Sequence, residues 1–152
     1  MTTKFAIRPM RAGEEPAWGA MRSRLWPDCG PADNAADMAE LANPDGALRI
    51  VLFGLAGTEI VGFAEISERS LVDGAGYRPA AYLEGWYVEP GYRRSGVGSA
   101  LIRAAADWAR AEGYAYLGSD AELDNLVSQA AHAKSGFKEI GRGVNFVMAL
   151  TR

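Results

Sequence analysis

Two arginines and two glycines lie where a predicted strand gives way to a predicted helix. Residues 88–102 read VEPGYRRSGVGSALI, with Arg93 and Arg94 before Gly96 and Gly98. The first backbone N–H groups of a helix are unpaired and lie at the positive end of its dipole, so a turn of this kind binds phosphate groups. Glycine lets an anion approach closely because no Cβ obstructs it. The spacing predicts a pyrophosphate site with charge-assisted contacts from the arginines; the alternative is a glycine turn with arginines for solubility.

Two carboxylates lie on neighbouring predicted strands. Glu84 is within the strand that leads into the glycine turn, and Asp120 follows the next strand. An alkyl ammonium must lose a proton before it can attack as a nucleophile, and a carboxylate beside it can bind the cation and accept that proton. Glu84 is a candidate for such a proton acceptor, and Asp120 is expected to face the gap between the two strands. The alternatives are an edge salt bridge for Glu84 and a helix N-cap for Asp120.

Acidic residues are concentrated in two windows without Lys or Arg, residues 25–48 and 111–133. A net charge of −3 argues against a nucleic-acid footprint, which requires clustered basic residues. If both windows flank a cleft, they would attract a polyamine, and salt would weaken that attraction. The alternative is two solvated helical faces. The acids of the two windows are Asp28, Asp33, Asp37, Glu40, Asp45, Glu112, Asp120, Glu122 and Asp124.

A single mixed α/β domain over residues 1–152 is the predicted fold class, without repeats or linkers. The predicted strands, from apolar runs and turn residues, are 5–8, 47–53, 59–67, 81–88, 114–118, 137–140 and 145–150. The predicted helices follow helical spacing of apolar residues. One begins near residue 11 and ends before Pro27, and the others cover residues 33–41, 97–112 and 125–134.

The composition is that of a soluble globular chain, with 49% hydrophobic and 23% charged residues. No apolar run approaches the about 20 residues that a membrane span needs. The first residues lack the apolar stretch of a signal peptide, and the single cysteine, Cys29, cannot form an internal disulfide. We expect a cytoplasmic protein with no membrane or nucleic-acid partner. The sequence has no visible metal-ligand cluster, so no metal is expected.

The glycine turn is neither a P-loop nor a dinucleotide fingerprint, because its spacing is Arg-x-x-Gly-x-Gly and it lacks a Lys-Ser/Thr pair. It resembles the acetyl-CoA loop of the GNAT superfamily of N-acetyltransferases, Gln/Arg-x-x-Gly-x-Gly/Ala. The resemblance extends through Asn125 and the Gly136-Phe137 pair. It implies a central mixed sheet of six to seven strands flanked by about four helices, with acetyl-CoA as co-substrate.

The same resemblance implies that residues 86–88 pair with the pantetheine arm and supply one N–H as an oxyanion hole. The residues that it places at coenzyme A are Trp86, Tyr87, Val88, Arg93, Arg94, Ser95, Gly96, Val97, Gly98, Ser99 and Asn125.

A narrower resemblance is carried by four short segments. They are residues 83–88 (LEGWYV), Ser119-Asp120, Asn125 with Ser128-Gln129 and His132, and Leu25-Trp26-Pro27. Together they are similar to the aminoglycoside 6′-N-acetyltransferases. That resemblance implies that Glu84 lies at the acceptor amine, Asp120 binds the aminoglycoside, Trp26 lines its pocket and Asn125 contacts coenzyme A. It also implies a homodimer.

Three positions depart from the pattern of that family. His132 stands where many superfamily members have a tyrosine proposed as general acid; it is a candidate acid, although a lone histidine on a helix is more often a surface or packing residue. Leu71 stands where an aromatic substrate contact is usual. Gly141 replaces an acidic contact, with Glu139 two residues away. Leu71 and Glu139 are the candidate substrate contacts at these positions.

The sequence leaves the acceptor open among an aminoglycoside, a polyamine, a small amine metabolite and a protein amino group. A coenzyme A sensor without turnover is a further alternative, but a sensor has no use for a proton acceptor such as Glu84. We expect direct attack in a ternary complex, because Cys29 has no partner histidine by spacing for an acyl-cysteine route.

Overall fold

The computed structural model describes residues 5–151. Within them it has the mixed α/β fold class and the four helices predicted from the sequence. The strands are β1 Phe5–Pro9, β2 Leu48–Ala56, β3 Glu59–Arg69, β4 Ala80–Val88 and β5 Leu117–Ser119. The helices are α1 Glu15–Leu25, α2 Pro31–Ala39, α3 Val97–Ala111 and α4 Leu126–Lys134, with short 3₁₀ turns at Glu40–Ala42 and Pro90–Tyr92.

The five strands form one sheet in chain order. Strands β1 to β4 are antiparallel neighbours, whereas β5 is parallel to β4. The turn between β2 and β3 contains Gly57 at a φ of 61°, a conformation that glycine adopts without steric cost. A parallel pair requires a crossover connection, and α3 supplies it between β4 and β5.

Strand β4 has a β-bulge at Glu84. The residues before and after Glu84 pair with Ile66 and Glu65 of β3, so Glu84 has no partner of its own in that ladder. A bulge bends the strand and re-aims the extra side chain. On the other side, β5 ends where Ser119 pairs with Leu83. Among residues 5–151, β4 therefore has no strand beside it on the β5 side from Glu84 onwards.

Helices α1 and α3 pack on opposite faces of the sheet. Adjacent side chains of a strand point to opposite faces. Phe53 of β2 belongs to the buried core with Trp18 and Met21 of α1. The next residue, Gly54, faces α3 so closely that an added Cβ would lie 2.9 Å from Val97 Cγ1. Both faces are thus covered, as expected for a sheet with a buried parallel crossover.

The chain forms two compact units. The larger one ends at Asp120 and contains the whole sheet with α1, α2 and α3, and the smaller one begins at Ala121 and contains α4. Helix α4 has Asn125 as its N-cap, whose Oδ1 accepts a hydrogen bond from Ser128 N at 3.0 Å. No helix within the described residues is long and apolar enough to cross a bilayer.

The predicted strand pair at residues 137–140 and 145–150 is wrong, because this segment has no regular secondary structure. The described sheet therefore has five strands rather than six to seven. Residues that favour strands form one only beside a neighbouring strand. Here Phe146, Val147 and Leu150 are exposed, so the apolar pattern that suggested a strand is not buried within this chain.

Candidate active site

A cavity of about 690 Å³ lies at the C-terminal end of α1. Its wall includes the turn after α1, part of α2, and residues of β2, β3 and β4. Two of the predicted site residues, Trp26 and Glu84, line it. Asp28, Asp37 and Glu40 also line it, so the first acidic window borders a cleft. Carboxylates around one cleft favour a cationic ligand.

Glu84 accepts three hydrogen bonds. Ser67 Oγ donates to its Oε1 at 2.6 Å, Arg69 Nε donates to the same oxygen at 2.8 Å, and Arg69 Nη2 donates to Oε2 at 2.8 Å. The edge salt bridge considered as an alternative role for Glu84 is therefore present. The same carboxylate also lines the cavity. A bidentate pair with a guanidinium fixes the carboxylate orientation at the bulge.

Trp26 follows α1 directly and lies against β4. A Cβ on Gly85 would be 2.7 Å from Trp26 Cη2, so the indole packs on the position of β4 that is occupied by glycine. The guanidinium carbon of Arg22 is 4.7 Å from the centroid of the same ring, within cation–π range. Trp26 is thereby fixed beside the residue that follows Glu84.

A buried ion pair lies beneath the cavity. Arg22 Nη1 donates to Glu65 Oε1, and Trp18 Nε1 donates to the same oxygen at 2.7 Å. Arg22 also donates from Nε to Asn34 Oδ1 at 2.6 Å and from Nη2 to Asp37 at 3.0 Å. Burial raises the pKa of the Glu65 carboxyl, and the Arg22 guanidinium opposes that rise. The pair connects α1 and α2 to β3.

Asp120 lies at the end of β5 and accepts a hydrogen bond from Tyr82 Oη at 2.5 Å. Burial, and then this bond, raise the pKa of the Tyr82 hydroxyl, which remains the donor. The N-cap alternative for Asp120 is wrong, because Asn125 caps the following helix. The Arg69 guanidinium carbon is 3.7 Å from the Tyr82 ring centroid, so Arg69 is stacked on the residue that binds Asp120.

The predicted phosphate-binding turn leads into α3. Gly96 is the N-cap with a φ of 100°, and a Cβ there would meet nothing within 4 Å, so the approach to the helix N-terminus is open. Arg94 also has a positive φ of 61°. Arg93 Nε donates to Val88 O at 2.8 Å, which connects the turn to the end of β4. The predicted pyrophosphate role of these residues is compatible with this geometry and stays a prediction.

Gly98 lies in the first turn of α3, beside β4. Trp86 Nε1 donates to Gly98 O at 3.2 Å, and a Cβ on Gly98 would be 3.5 Å from the indole. In the turn before α3, the Ser95 hydroxyl donates to Tyr92 O. The strand predicted to pair with pantetheine and the helix predicted to hold the phosphates are thus in direct contact.

This arrangement has counterparts among known proteins. The family model described as "Acetyltransferase (GNAT) family" matches residues 18–137. The chain belongs to the GNAT acetyltransferase family. It is 38% identical over 144 residues to an aminoglycoside N(6′)-acetyltransferase type 1 of Klebsiella aerogenes, covering 93% of this chain and 95% of that protein. A protein of the same name from Stenotrophomonas maltophilia is 40% identical over 147 residues, covering 95% and 93%.

Solved structures agree with this membership in the GNAT family. The aminoglycoside antibiotic 6′-N-acetyltransferase AAC(6′)-Ig of Acinetobacter haemolyticus has a TM-score of 0.85 at 33% identity, covering 96% of this chain and 99% of that one. AAC(6′)-Iy in complex with the bisubstrate analog CoA-S-monomethyl-acetylneamine has a TM-score of 0.88 at 30% identity, covering 97% and 99%. The GNAT fold predicted from the sequence is confirmed.

Three other residues of this GNAT chain were predicted to contact the acceptor. Asp120 and Leu71 are not among the described residues that line the cavity. Leu71 is exposed in the segment between β3 and β4. Glu139 belongs to the smaller unit, where Arg142 Nε donates to it at 2.7 Å. Their roles in substrate binding stay predictions.

His132 has a packing role within the smaller unit. Its Nδ1 is 2.7 Å from Ser128 O, and its ring centroid is 5.1 Å from that of Phe137. A carbonyl oxygen only accepts, so Nδ1 is the protonated nitrogen in this contact. These contacts agree with the prediction that a lone helical histidine is a packing residue. Among residues 5–151, no group of three or more His, Cys, Asp or Glu is arranged to hold a metal ion.

Sequence reasoning missed five residues that shape the site. Ser67 and Glu65 lie on the cavity side of β3, and Arg22 lies on the inner face of α1. Arg69 binds Glu84, and Gly85 makes room for Trp26. Arg22 lies on the same face of α1 as the buried Trp18 and Met21. A charged residue on an otherwise apolar helical face was a usable signal. The others depend on strand register, which the bulge at Glu84 shifts.

Proposed function

We propose that this protein transfers the acetyl group of acetyl-CoA to the 6′-amine of aminoglycoside antibiotics and so confers resistance to them. The observation that carries the proposal is the position of Glu84, on a bulge where β4 and β5 part, in the wall of a carboxylate-bordered cavity. The relatives named aminoglycoside N(6′)-acetyltransferase support the same acceptor.

Acetyl-CoA is assigned to the gap beside β4 and to the N-terminus of α3. No β5 strand lies beside β4 at residues 85–88 among the described residues, so we assign this edge of the sheet to the pantetheine chain. One N–H there would stabilise the negative charge that develops on the thioester oxygen. The turn with Gly96 and Gly98 would hold the pyrophosphate, with Arg93 and Arg94 near the outer phosphates. AAC(6′)-Iy has been solved in complex with coenzyme A, which supports acetyl-CoA as the co-substrate.

The reaction proceeds by direct attack within a ternary complex. Glu84 binds the 6′-ammonium and accepts one proton, directly or through water. The amine nitrogen forms a bond to the thioester carbonyl carbon and the carbon–sulfur bond breaks. The second proton that the nitrogen loses passes through water to the leaving coenzyme A thiolate. The two substrates need no covalent enzyme intermediate, and Cys29 has no assigned step.

The cavity supplies the charge that an aminoglycoside requires. Asp28, Asp37 and Glu40 line it together with Glu84, and Trp26 gives it an aromatic wall. Sugars with several ammonium groups match such a wall, because the aromatic face packs on the ring while the carboxylates pair with the amines. Asp120 is assigned to a second ammonium of the acceptor.

We also propose a homodimer in the cytoplasm. Exposed apolar side chains at Val144, Phe146, Val147, Met148 and Leu150 support an interface, since so many in one short segment are unusual for a monomer surface.

The unpaired Cys29 supports a reducing compartment. The net charge of −3 supports the absence of a nucleic-acid partner. Equilibrium sedimentation at several protein concentrations tests the dimer.

The acceptor is tested by coupled thiol release with acetyl-CoA. We expect release with kanamycin, none with an analogue carrying a 6′-hydroxyl, and little with spermidine. Glu84→Gln should lower kcat by about 100-fold or more, the usual effect of losing a general base, while acetyl-CoA binding is retained. Glu68→Gln, a carboxylate on the neighbouring strand that pairs with Arg49, is the matched control. Activity on spermidine alone would mean that the acceptor is a polyamine rather than an aminoglycoside. Unchanged turnover in Glu84→Gln would mean that Glu84 is not the proton acceptor.

A further inference from the structure

Arg69 forms an ion pair with Glu84, the carboxylate that the proposed reaction needs. Its guanidinium donates to both oxygens of Glu84 at 2.8 Å, and Ser67 donates to Oε1. An arginine cannot be deprotonated in a protein, so it does not take over the role of proton acceptor or proton donor. While Arg69 is bound, Glu84 faces a guanidinium where the proposed function requires the ammonium of the acceptor.

Arg69 also lies close to the second carboxylate of the site. Its guanidinium is stacked 3.7 Å from the Tyr82 ring centroid, and the Tyr82 hydroxyl donates to Asp120 at 2.5 Å. The charges of both Glu84 and Asp120 raise the pKa of Arg69, the Glu84 hydrogen bonds being the largest cause. Arg69 thus supplies one positive charge to a region with two carboxylates, the same two that are assigned to the acceptor.

The contact of Arg69 with Glu84 can open. The Arg69 side chain is 45% exposed and that of Glu84 is 29% exposed, unlike the fully buried pair of Arg22 and Glu65. An ion pair with this exposure is screened by water and is worth little net free energy. Arg69 is also the last residue of β3, so its side chain has solvent to turn into.

We propose that Arg69 is an internal cation that occupies the acceptor ammonium position, and that the acceptor must displace it, which selects acceptors with two or more ammonium groups. The inference rests on the proposed function and deepens it. Displacement leaves Glu84 and Asp120 both unneutralised. A monoamine replaces one charge with one charge and competes with a tethered group at high effective concentration. A dication neutralises both carboxylates, and it therefore gains a second ion pair that a monoamine cannot form.

The test compares a polycation with a monoamine in wild type and Arg69→Met. Kanamycin is the polycation, and the methyl glycoside of 6-amino-6-deoxyglucose is the monoamine with the same reacting group. In Arg69→Met, kcat/KM for the monoamine should rise about fivefold through a lower KM, the scale expected for loss of a competing exposed ion pair. The kcat/KM for kanamycin should change less, so the ratio of kcat/KM for kanamycin to kcat/KM for the monoamine should fall. Arg69→Lys, which keeps the cation, should retain the wild-type ratio.

Arg49→Met is the matched control. Arg49 forms a similarly exposed pair with Glu68 at 3.1 Å on the neighbouring strands, and Glu68, unlike Glu84, is not among the cavity-lining residues. This variant should leave the ratio unchanged, and thermal unfolding should show that both Met variants are folded. A parallel fall of kcat with both amines in Arg69→Met would overturn the proposal, because it would mean that Arg69 orients Glu84 for catalysis. An unchanged ratio would overturn it as well.

Calorimetric binding of the same two amines separates this inference from the proposed function. If wild type binds kanamycin without acetylating it, the proposed reaction is wrong, and a narrower binding ratio in Arg69→Met still supports the displacement. If wild type acetylates kanamycin and the binding ratio does not change, the displacement is wrong and the reaction stands. Binding of neither amine would overturn both.

Discussion

At the scale of single residues, Gly85 determines where the indole of Trp26 lies. The ring occupies the space that a side chain at this position would fill, with Cη2 2.7 Å from an ideal Cβ. Phe63 Cε2 would be 3.2 Å from the same Cβ, so the space is closed on the sheet side as well. The aromatic wall of the cavity therefore depends on a glycine next to Glu84.

Gly85→Ala should move Trp26 out of position and raise the KM for the aminoglycoside by about tenfold, because overpacking a filled site costs about 1–3 kcal/mol. Steady-state kinetics with varied kanamycin at saturating acetyl-CoA measures the change. Gly30→Ala is the control, since Gly30 has ordinary backbone angles and nothing within 4 Å of an added Cβ. An equal effect of both substitutions would mean that the packing of Trp26 on Gly85 does not matter for the acceptor.

Glu84 was predicted from the resemblance of residues 83–88 to the aminoglycoside 6′-N-acetyltransferases, and the chemistry of an amine acceptor independently calls for a carboxylate there. Its partner Arg69 was not, for a physical reason. The two residues are paired because β3 and β4 are antiparallel with a bulge, and a one-residue change of register reverses the face of every side chain beyond it. Residue types and spacing along one strand do not contain that offset.

At the scale of elements, the buried pair of Arg22 and Glu65 connects the helical wall of the cavity to the sheet. Arg22 belongs to α1, binds Asn34 and Asp37 of α2, and reaches Glu65 of β3. Removing one partner of a buried ion pair leaves an uncompensated charge. The position of α2 relative to β3, and with it the acidic side of the cavity, thus depends on one guanidinium.

Arg22→Met should lower the free energy of unfolding by about 3–5 kcal/mol, the usual cost of breaking a buried pair. Without Arg22, burial and the charge of Glu84, which raise the pKa of Glu65, are opposed only by the hydrogen bond from Trp18. A carboxyl with a raised pKa in the folded state binds its proton more tightly there, so stability falls as pH rises from the unfolded pKa towards the folded one. The loss should be larger at pH 7 than at pH 5 in urea unfolding. Arg22→Met with Glu65→Leu should be less destabilised than the single variant; a loss equal at both pH values would contradict the assignment.

Most elements were predictable because their signals are local. The glycine turn, the strand before it and α3 were placed within a residue or two of their observed bounds by glycine positions and apolar periodicity. The predicted strands after α4 failed because a strand also needs a neighbour, and residues 137–151 have no regular structure within this chain. The local sequence indicates the tendency of a segment to form a strand, but it does not indicate which strand would pair with it.

At the scale of the whole molecule, part of the negative charge lies in the wall of the cavity. Asp28, Asp37 and Glu40 line it, while Asp33 and Asp45 of the same window do not. A cleft with charge of one sign concentrates a cationic substrate, and salt screens that attraction. The net charge of −3 favours the approach of an aminoglycoside in the same sense.

We expect kcat/KM for kanamycin to fall by about tenfold between low and high salt. The double variant Asp28→Asn/Glu40→Gln should flatten this dependence. Asp33→Asn/Asp45→Asn removes the same number of charges outside the cavity wall and should keep the wild-type slope. Equal slopes in the two double variants would show that net charge, and not the charge at the cavity, attracts the substrate.

The bulge at Glu84 has a consequence for how acceptor range can diversify. One strand carries both the proposed proton acceptor and the edge assigned to the acetyl donor, so the transfer chemistry is inherited as a unit with β4. The other residues assigned to the acceptor site belong to α1, α2, the turn between them and the ends of β3 and β5. Substitutions in those elements can therefore broaden or narrow the spectrum of modified drugs while the reaction itself persists, which makes them the positions to monitor in resistant isolates.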